Sequence, residues 1–126
     1  MSDSFTDHQS AVTERLLKQF DEVFLKHDPA ALAELVGDDC VIENTRPAPD
    51  GARYVGKQAC ITLWTEIATN QGIHFETEEI FARGDRGEIR WRLVWGPAPG
   101  NSVRGVNLMR VRDGKIVEAR GYVKGA

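Results

Sequence analysis

Glu43 and Asn44 stand side by side at the end of the short apolar run Cys40-Val41-Ile42, just before a stretch rich in Pro and Gly. A carboxylate at the mouth of an apolar pocket has its charged form disfavoured, and the raised pKa suits it to general-base work. Asn107 is the second candidate. It is the one polar side chain on a strand face otherwise made of Val103, Gly105, Met109 and Val111. A buried amide must find hydrogen-bond partners, so Asn107 either satisfies a neighbour or water, or donates to a ligand oxygen. His74 could serve as a base but reads as a solvated edge residue, and His8 and His27 read as helix-surface residues.

Other chemistry-bearing patterns are missing. There is no glycine-rich phosphate loop, no nucleophile elbow and no HExxH or Cys/His cluster, so neither metal nor cofactor is expected. Cys40 and Cys60 give no metal spacing and no disulfide framework. Cys60 falls on the apolar stripe of a helix and reads as a core thiol.

The elements that must position these residues follow from periodicity. Thr6-Asp7-His8-Gln9 has capping-box spacing, and Val12, Leu16, Phe20, Val23 and Phe24 then recur as one helical face. Asp28-Pro29 restarts the chain as N-cap and first helical residue of a short second helix, which carries Leu32, Leu35 and Val36 and stops at Gly37. Residues 40–43 read as a strand and 44–56 as a loop. Cys60, Leu63, Trp64 and Ile67 mark a third helix ending near Asn70-Gln71-Gly72. Strands are predicted at 73–82, 88–95, 102–112 and 115–123, with turns at Gly84-Asp85-Arg86-Gly87 and from Gly96 to Asn101. Helices first and a meander afterwards indicate an α+β fold, with helices on one face of an antiparallel sheet.

Alternation shows which face is dry. Ile89, Trp91, Leu93 and Trp95 alternate with Glu88, Arg90, Arg92 and Val94, and an unpaired charge cannot be buried cheaply. The last hairpin admits two registers. A two-residue turn at Asp113-Gly114 pairs Met109 with Glu118 and Asn107 with Arg120. A three-residue turn pairs Met109 with Val117, Asn107 with Ala119 and Gly105 with Gly121. The apolar pattern favours the second, with Gly114 at positive φ. Gly105, Ala119 and Gly121 then leave space on the helix-facing side that Trp91, Trp95 and Met109 wall, the usual form of a small-molecule site.

The totals bound the answer. A chain of 126 residues with 41% apolar and 28% charged content is one ordinary globular domain, residues 1–126. The net charge of −3 hides an asymmetry: residues 1–82 carry 15 acids and 6 bases, residues 83–126 carry 4 acids and 10 bases. The bases are spaced along strands without a stacking platform, so they read as a solvated or subunit-facing surface complemented by acidic helices, not as a nucleic-acid site. No apolar run is long enough to span a bilayer and the N-terminus lacks an h-region, which places the chain in the cytoplasm.

The residues also resemble a known family. Asp28-Pro29, Leu35 and Asp38 to Asn44 resemble the second helix and first strand of ketosteroid-isomerase-like and SnoaL-like (polyketide-cyclase-like) proteins. Asp50-Gly51, Val55-Gly56-Lys57 and Arg90-Trp91-Arg92 do so too, and the run from Gly105 to Val117 is the strongest match. The resemblance spans nearly the whole chain. It implies a cone-shaped α+β fold of the nuclear-transport-factor-2-like superfamily, three N-terminal helices on a curved, mostly antiparallel sheet. It implies a homodimer through the outer sheet face, where Val94, Val106, Leu108, Ile116 and Tyr122 interrupt the charges. Such diffuse patterns specify fold better than reaction.

Ketosteroid isomerase uses a carboxylate base with an oxyanion hole of a tyrosine and a protonated aspartic acid. On that pattern the tyrosine falls on Phe20, the base on Asn44 with Glu43 beside it, and the oxyanion acid on Asn107. Phe20 has no donor and Asn44 takes no proton at neutral pH, but Asn107 can still donate. The limonene-epoxide-hydrolase pattern wants Arg-x-Asp where this chain has Arg90-Trp91-Arg92. The acid and histidine of SnoaL-like cyclases lie on late strands, and no histidine follows His74.

The leading expectation is a family member that binds a small apolar, oxygen-bearing molecule. Asn107 is its polar anchor, with Phe20, Asn44, Trp64, Trp91, Trp95 and Met109 around the ligand. One alternative is an isomerase or cyclase with Glu43 as base and Asn107 as oxyanion donor. Another is a ligand-free dimerisation or accessory module, its pocket filled by Phe20, Trp64 and Met109.

Overall fold

The computed structural model describes residues 4–97 and 101–125, with side chains from Asp7 onward. Helix α1 (Ser4–Leu25) buries Leu16, Leu17, Phe20, Val23 and Phe24 against the sheet. It is already helical at Ser4, so Thr6 lies inside the helix and is not its cap. Its C-terminus closes in a Schellman arrangement. The amide of His27 donates to Phe24 O and that of Asp28 to Val23 O, while His27 takes φ 54, the left-handed conformation usual for Gly. The His27 ring is not a free surface group either: Nδ1 donates to Ala68 O at 2.9 Å.

Asp28 then caps as expected, accepting from the Ala30 amide, with Pro29 opening a 3-10 turn (Pro29–Ala31). Helix α2 is a single turn (Leu32–Leu35). Gly37 does not end it. Val36 is the C-cap, and Gly37 lies inside strand β1 (Val36–Glu43), which is longer than its apolar run suggested. A Cβ at Gly37 would sit 3.0 Å from Val117 Cγ1, so glycine there permits close approach between strands. The loop after β1 hides a short strand, β2 (Arg53–Val55). Helix α3 (Lys57–Thr69) buries Cys60, Trp64 and Ala68. Cys60 is a core thiol, donating to Cys40 O, and burial pushes the Cys40 thiol well above its ordinary range.

Strands β3 (Ile73–Arg83), β4 (Arg86–Trp95), β5 (Asn101–Arg112) and β6 (Lys115–Val123) form the meander. The sheet is six-stranded, in the order β2-β1-β6-β5-β4-β3, and antiparallel except where β1 runs parallel to β6. The three helices pack on one face of it. Part of the β4–β5 connection, residues 98–100, lies outside the described residues.

The β5–β6 hairpin corrects the expected register. Arg112 pairs with Lys115 across a two-residue Asp113-Gly114 turn in which both residues have positive φ (53 and 73), as a type I′ turn demands. Val111 pairs with Ile116, and the ladder then shifts so that Arg110 faces Glu118, Met109 faces Ala119 and Asn107 faces Gly121. Val117 is the extra residue of a bulge. Without it Glu118 would oppose Met109 on the buried face, since a one-residue slip flips every side chain. The bulge lets Ile116 and Ala119 both point inward, and Ile116 is therefore fully buried instead of lying on the outer face. A second bulge at Glu78 works the same way in β3. Phe75 and Thr77 face the helices before it and Ile80 after it, while Glu79 turns outward.

The outer face holds the charges, and its acids come from the strands rather than from the helices. Glu79 pairs with Arg90 at 2.6 Å, Glu78 with Arg104 at 2.9 Å, Glu118 with Arg120 at 2.9 Å, and Asp39 with Arg112.

Gly105 is the tightest point of the inner face. A Cβ there would overlap the Trp91 indole and lie 2.6 Å from Tyr122 O. Gly105→Ala should destabilise the protein by about 1–3 kcal/mol through overpacking, read as a lower urea midpoint at unchanged m-value.

Candidate functional site

A cavity of about 240 Å³ opens between the helices and the sheet. Its floor is the inner face just described: Ile42 of β1, Ile89 of β4, and Ala119 and Gly121 of β6. Small side chains at 119 and 121 keep the floor low. A Cβ at Gly121 would come within 3.3 Å of Asn107 Oδ1 and 3.0 Å of Thr45 Cγ2. The mouth is formed by Asn44, Thr45 and Arg46, where the chain leaves β1. Asn44 Oδ1 accepts from the Thr45 amide at 2.8 Å, so its side chain shapes the loop. Gly51, at φ 83, lets the returning loop lie against the Asn44 carbonyl, where no Cβ fits.

The wall is a chain of edge-to-face aromatic pairs. Trp64 of α3 meets Phe20 of α1 at 4.7 Å between ring centroids, Phe20 meets Phe24 at 4.9 Å, Phe24 meets Phe75 of β3 at 5.8 Å, and Phe75 meets Trp91 of β4 at 5.5 Å. Such pairs favour this geometry because the positive ring edge faces the negative ring face. The arc ends in a polar contact: Trp91 Nε1–H donates to Asn107 Oδ1 at 3.2 Å. An indole nitrogen only donates, so it sets which side of the amide is oxygen. Asn107 lines the cavity, and among the described residues no acceptor takes the protons of its NH₂ group.

Phe20, Trp64, Trp91 and Asn107 thus come together as expected, with Asn44 at the mouth. Three expected residues do not join them. Trp95 stands beyond the cavity at the end of β4, 38% exposed. Met109 is buried in the core near the end of the β4–β5 pair away from its connecting loop, where it faces Gly87. Glu43 follows the inward-facing Ile42, so its carboxylate turns to the outer face. There it lies 3.9 Å from Arg120 with 42% of the side chain exposed, and only its position on the chain reaches the cavity rim. A general base at Glu43 would require the opposite orientation. His74 pairs with Val94 on the outer face and is exposed.

One polar residue of the cavity escapes a reading by residue type. Asp21, on α1 beside Phe20, is only 8% exposed and lines the cavity. The Thr77 hydroxyl of β3 donates to its Oδ2. Burial pushes the Asp21 carboxyl above its ordinary value; the Thr77 hydrogen bond opposes this and the nearby charge of Glu22 adds to it. The signal was positional. Asp21 lies four residues after Leu17 and three before Phe24, on the stripe that the buried residues of α1 define.

Among the described residues no cluster of His, Cys, Asp and Glu could hold a metal ion, and no helix is long and apolar enough to cross a membrane. The site can therefore be described by its own side chains: an aromatic wall, one oriented amide donor and one buried carboxyl.

Comparison with known proteins agrees with this architecture. The SnoaL-like domain model matches residues 17–119. An NTF2-like protein of unknown function from Mesorhizobium loti is 61% identical, with a TM-score of 0.88 over 93% of this chain and 94% of that one. A steroid delta-isomerase from Pseudomonas aeruginosa shares the fold at 18% identity (TM-score 0.74, 91% of this chain and 81% of that one). An LEH-like epoxide hydrolase from M. tuberculosis does so at 21% identity (TM-score 0.72, 91% and 84%). No curated protein matches the chain. With most of its length matched by the family model, the chain belongs to the SnoaL-like domain family, within the NTF2-like superfamily.

Proposed function

We propose that the protein binds a small, mostly apolar molecule carrying an acceptor oxygen, in the cavity between helices and sheet. The observation that carries this reading is the bond from Trp91 to Asn107, which occupies the amide oxygen and leaves the NH₂ of a residue lining an apolar cavity without a protein acceptor among the described residues. An apolar space with few placed polar groups is the usual form of such a site. The scale suits a small ligand. An engineered apolar cavity of roughly 150 Å³ takes benzene, so about 240 Å³ accommodates a substituted or bicyclic ring. The pocket filled by Phe20, Trp64 and Met109 that a ligand-free module would have is not favoured, because Phe20 and Trp64 line the space and leave it open and Met109 does not line it.

The test is native mass spectrometry of the gently purified protein, alongside two variants. Wild type should retain a small apolar compound. Asn107→Leu should lose it, with affinity down about tenfold for one removed hydrogen bond in a desolvated site. Trp91→Phe, which keeps the wall but frees the amide to turn, should weaken retention less. Equal retention by all three would refute Asn107 as the anchor.

We also propose that two copies associate through the outer sheet face. Phe81, Leu108 and Tyr122 are exposed there, 55%, 44% and 51%, amid the ion pairs. Sedimentation equilibrium at micromolar concentration should give twice the chain mass, and Leu108→Glu should halve it. A wild-type monomer would remove the proposal.

A further inference from the structure

The cavity has a second polar group that the anchoring reading leaves unused. Asp21 Oδ2 accepts from Thr77, and among the described residues no donor meets Oδ1. The residue is buried and lines the cavity, so the remaining oxygen has the cavity as its open side. Phe20, Phe24 and Phe75 line the same cavity, and their rings offer a carboxylate oxygen no hydrogen bond. Oδ1 is not sealed from solvent, and a ligand hydroxyl in the cavity can take the place of water as its donor.

Its position relative to Asn107 is set by the sheet. Thr77, which holds Asp21, is on β3 and faces Trp91 of β4; Asn107 is on β5 and faces Ile89 of β4. Two strand spacings therefore separate the two supports, on the order of 10 Å. Asp21 reaches in from the helix layer and Asn107 from the sheet. The space between them is walled by aromatic rings.

Building on the anchoring role of Asn107, we infer that the cavity is a two-point site for a small, hydroxylated, ring-containing ketone. The carbonyl oxygen accepts from the Asn107 amide, and a hydroxyl at the far end of the ring system donates to Asp21 Oδ1. Asp21 is then the residue that sets specificity: it admits the hydroxylated compound and leaves its deoxy analogue with an unpaired carboxyl opposite a C–H group. Sites built to hydrogen-bond a ligand hydroxyl discriminate strongly against the analogue that lacks it, for this reason. Thr77 positions Asp21 by occupying its other oxygen.

The probes are 6-hydroxy-2-acetylnaphthalene and 2-acetylnaphthalene, rigid bicyclic ketones that differ only in the distal hydroxyl. Each is titrated into the full-length protein at neutral pH and followed by ligand fluorescence. Wild type should bind the hydroxylated ketone about tenfold or more tightly than its partner. In Asp21→Leu that ratio should fall to near one, with binding of 2-acetylnaphthalene retained. Asp21→Asn should also reduce the ratio, because half of its amide is a donor, and it supplies the comparison if the leucine variant does not fold. The wild-type ratio needs no variant at all. If both ketones bind equally well, and binding is lost in Asn107→Leu, the role of Asp21 is overturned while the anchor stands. If neither ketone binds, the two-point site and the anchoring reading fall together.

Discussion

A hydrogen bond between two side chains of neighbouring strands, Trp91 and Asn107, organises the inner face of this sheet. The indole that bonds Asn107 covers position 105, and position 105 can be covered because it is Gly. The same indole is the last member of the aromatic arc through Phe75, Phe24, Phe20 and Trp64. Glycine, tryptophan and asparagine thus act as one unit. The first supplies room, the second supplies wall and a donor, and the third converts that donor into an oriented amide. The amide is a minor polar element in area, but it is the element whose direction is specified.

Keeping the cavity open is itself a constraint. Empty apolar volume destabilises a core by about 24 cal/mol per Å³, so about 240 Å³ held dry would cost about 6 kcal/mol. That is comparable to the whole stability of a small domain. The arrangement that preserves the volume is specific: small residues at 119 and 121 on the floor, rings braced edge-to-face across the wall, and polar groups at the mouth where water can enter. Occupation by water or ligand offsets the loss. A core with no such use could reduce the loss by a larger residue in place of Ala119.

Much of this was legible in the chain. Periodicity located α1, α3 and the four long strands to within a residue or two at most ends, and alternation assigned Trp91 and Asn107 to one face. The hairpin register was not legible, and its error is instructive. Ile116 and Ala119 both face inward, and residues three apart cannot share a face in an unbulged ladder, so no regular register reproduces the observed pairing. The expected pairing nevertheless had the same parity as the observed one, which is why Gly121 and Ala119 were placed inside although their partners were wrong. Trp95 and Met109 share the right face, but alternation says nothing of position along a strand, and the two stand toward opposite ends of the β4–β5 pair, neither of them lining the cavity. β2 carries too few residues to show a period.

The two carboxylates show the limit of reading by residue type. Glu43 sits one residue before Asn44, where the related isomerase pattern puts a base; following the inward Ile42 it turns outward, and parallel pairing with β6 sets Arg120 beside it. Its charge is thereby kept in water, where it is inexpensive. Asp21 has no such escape. The helical period that sends Leu17 and Phe24 into the core sends Asp21 with them, and only Thr77 meets it. A surface carboxylate needs no explanation beyond solubility. A carboxyl held on the buried stripe of a helix, braced on one oxygen and lining an apolar cavity, is a cost to the fold that a ligand hydroxyl, on the two-point proposal, would offset.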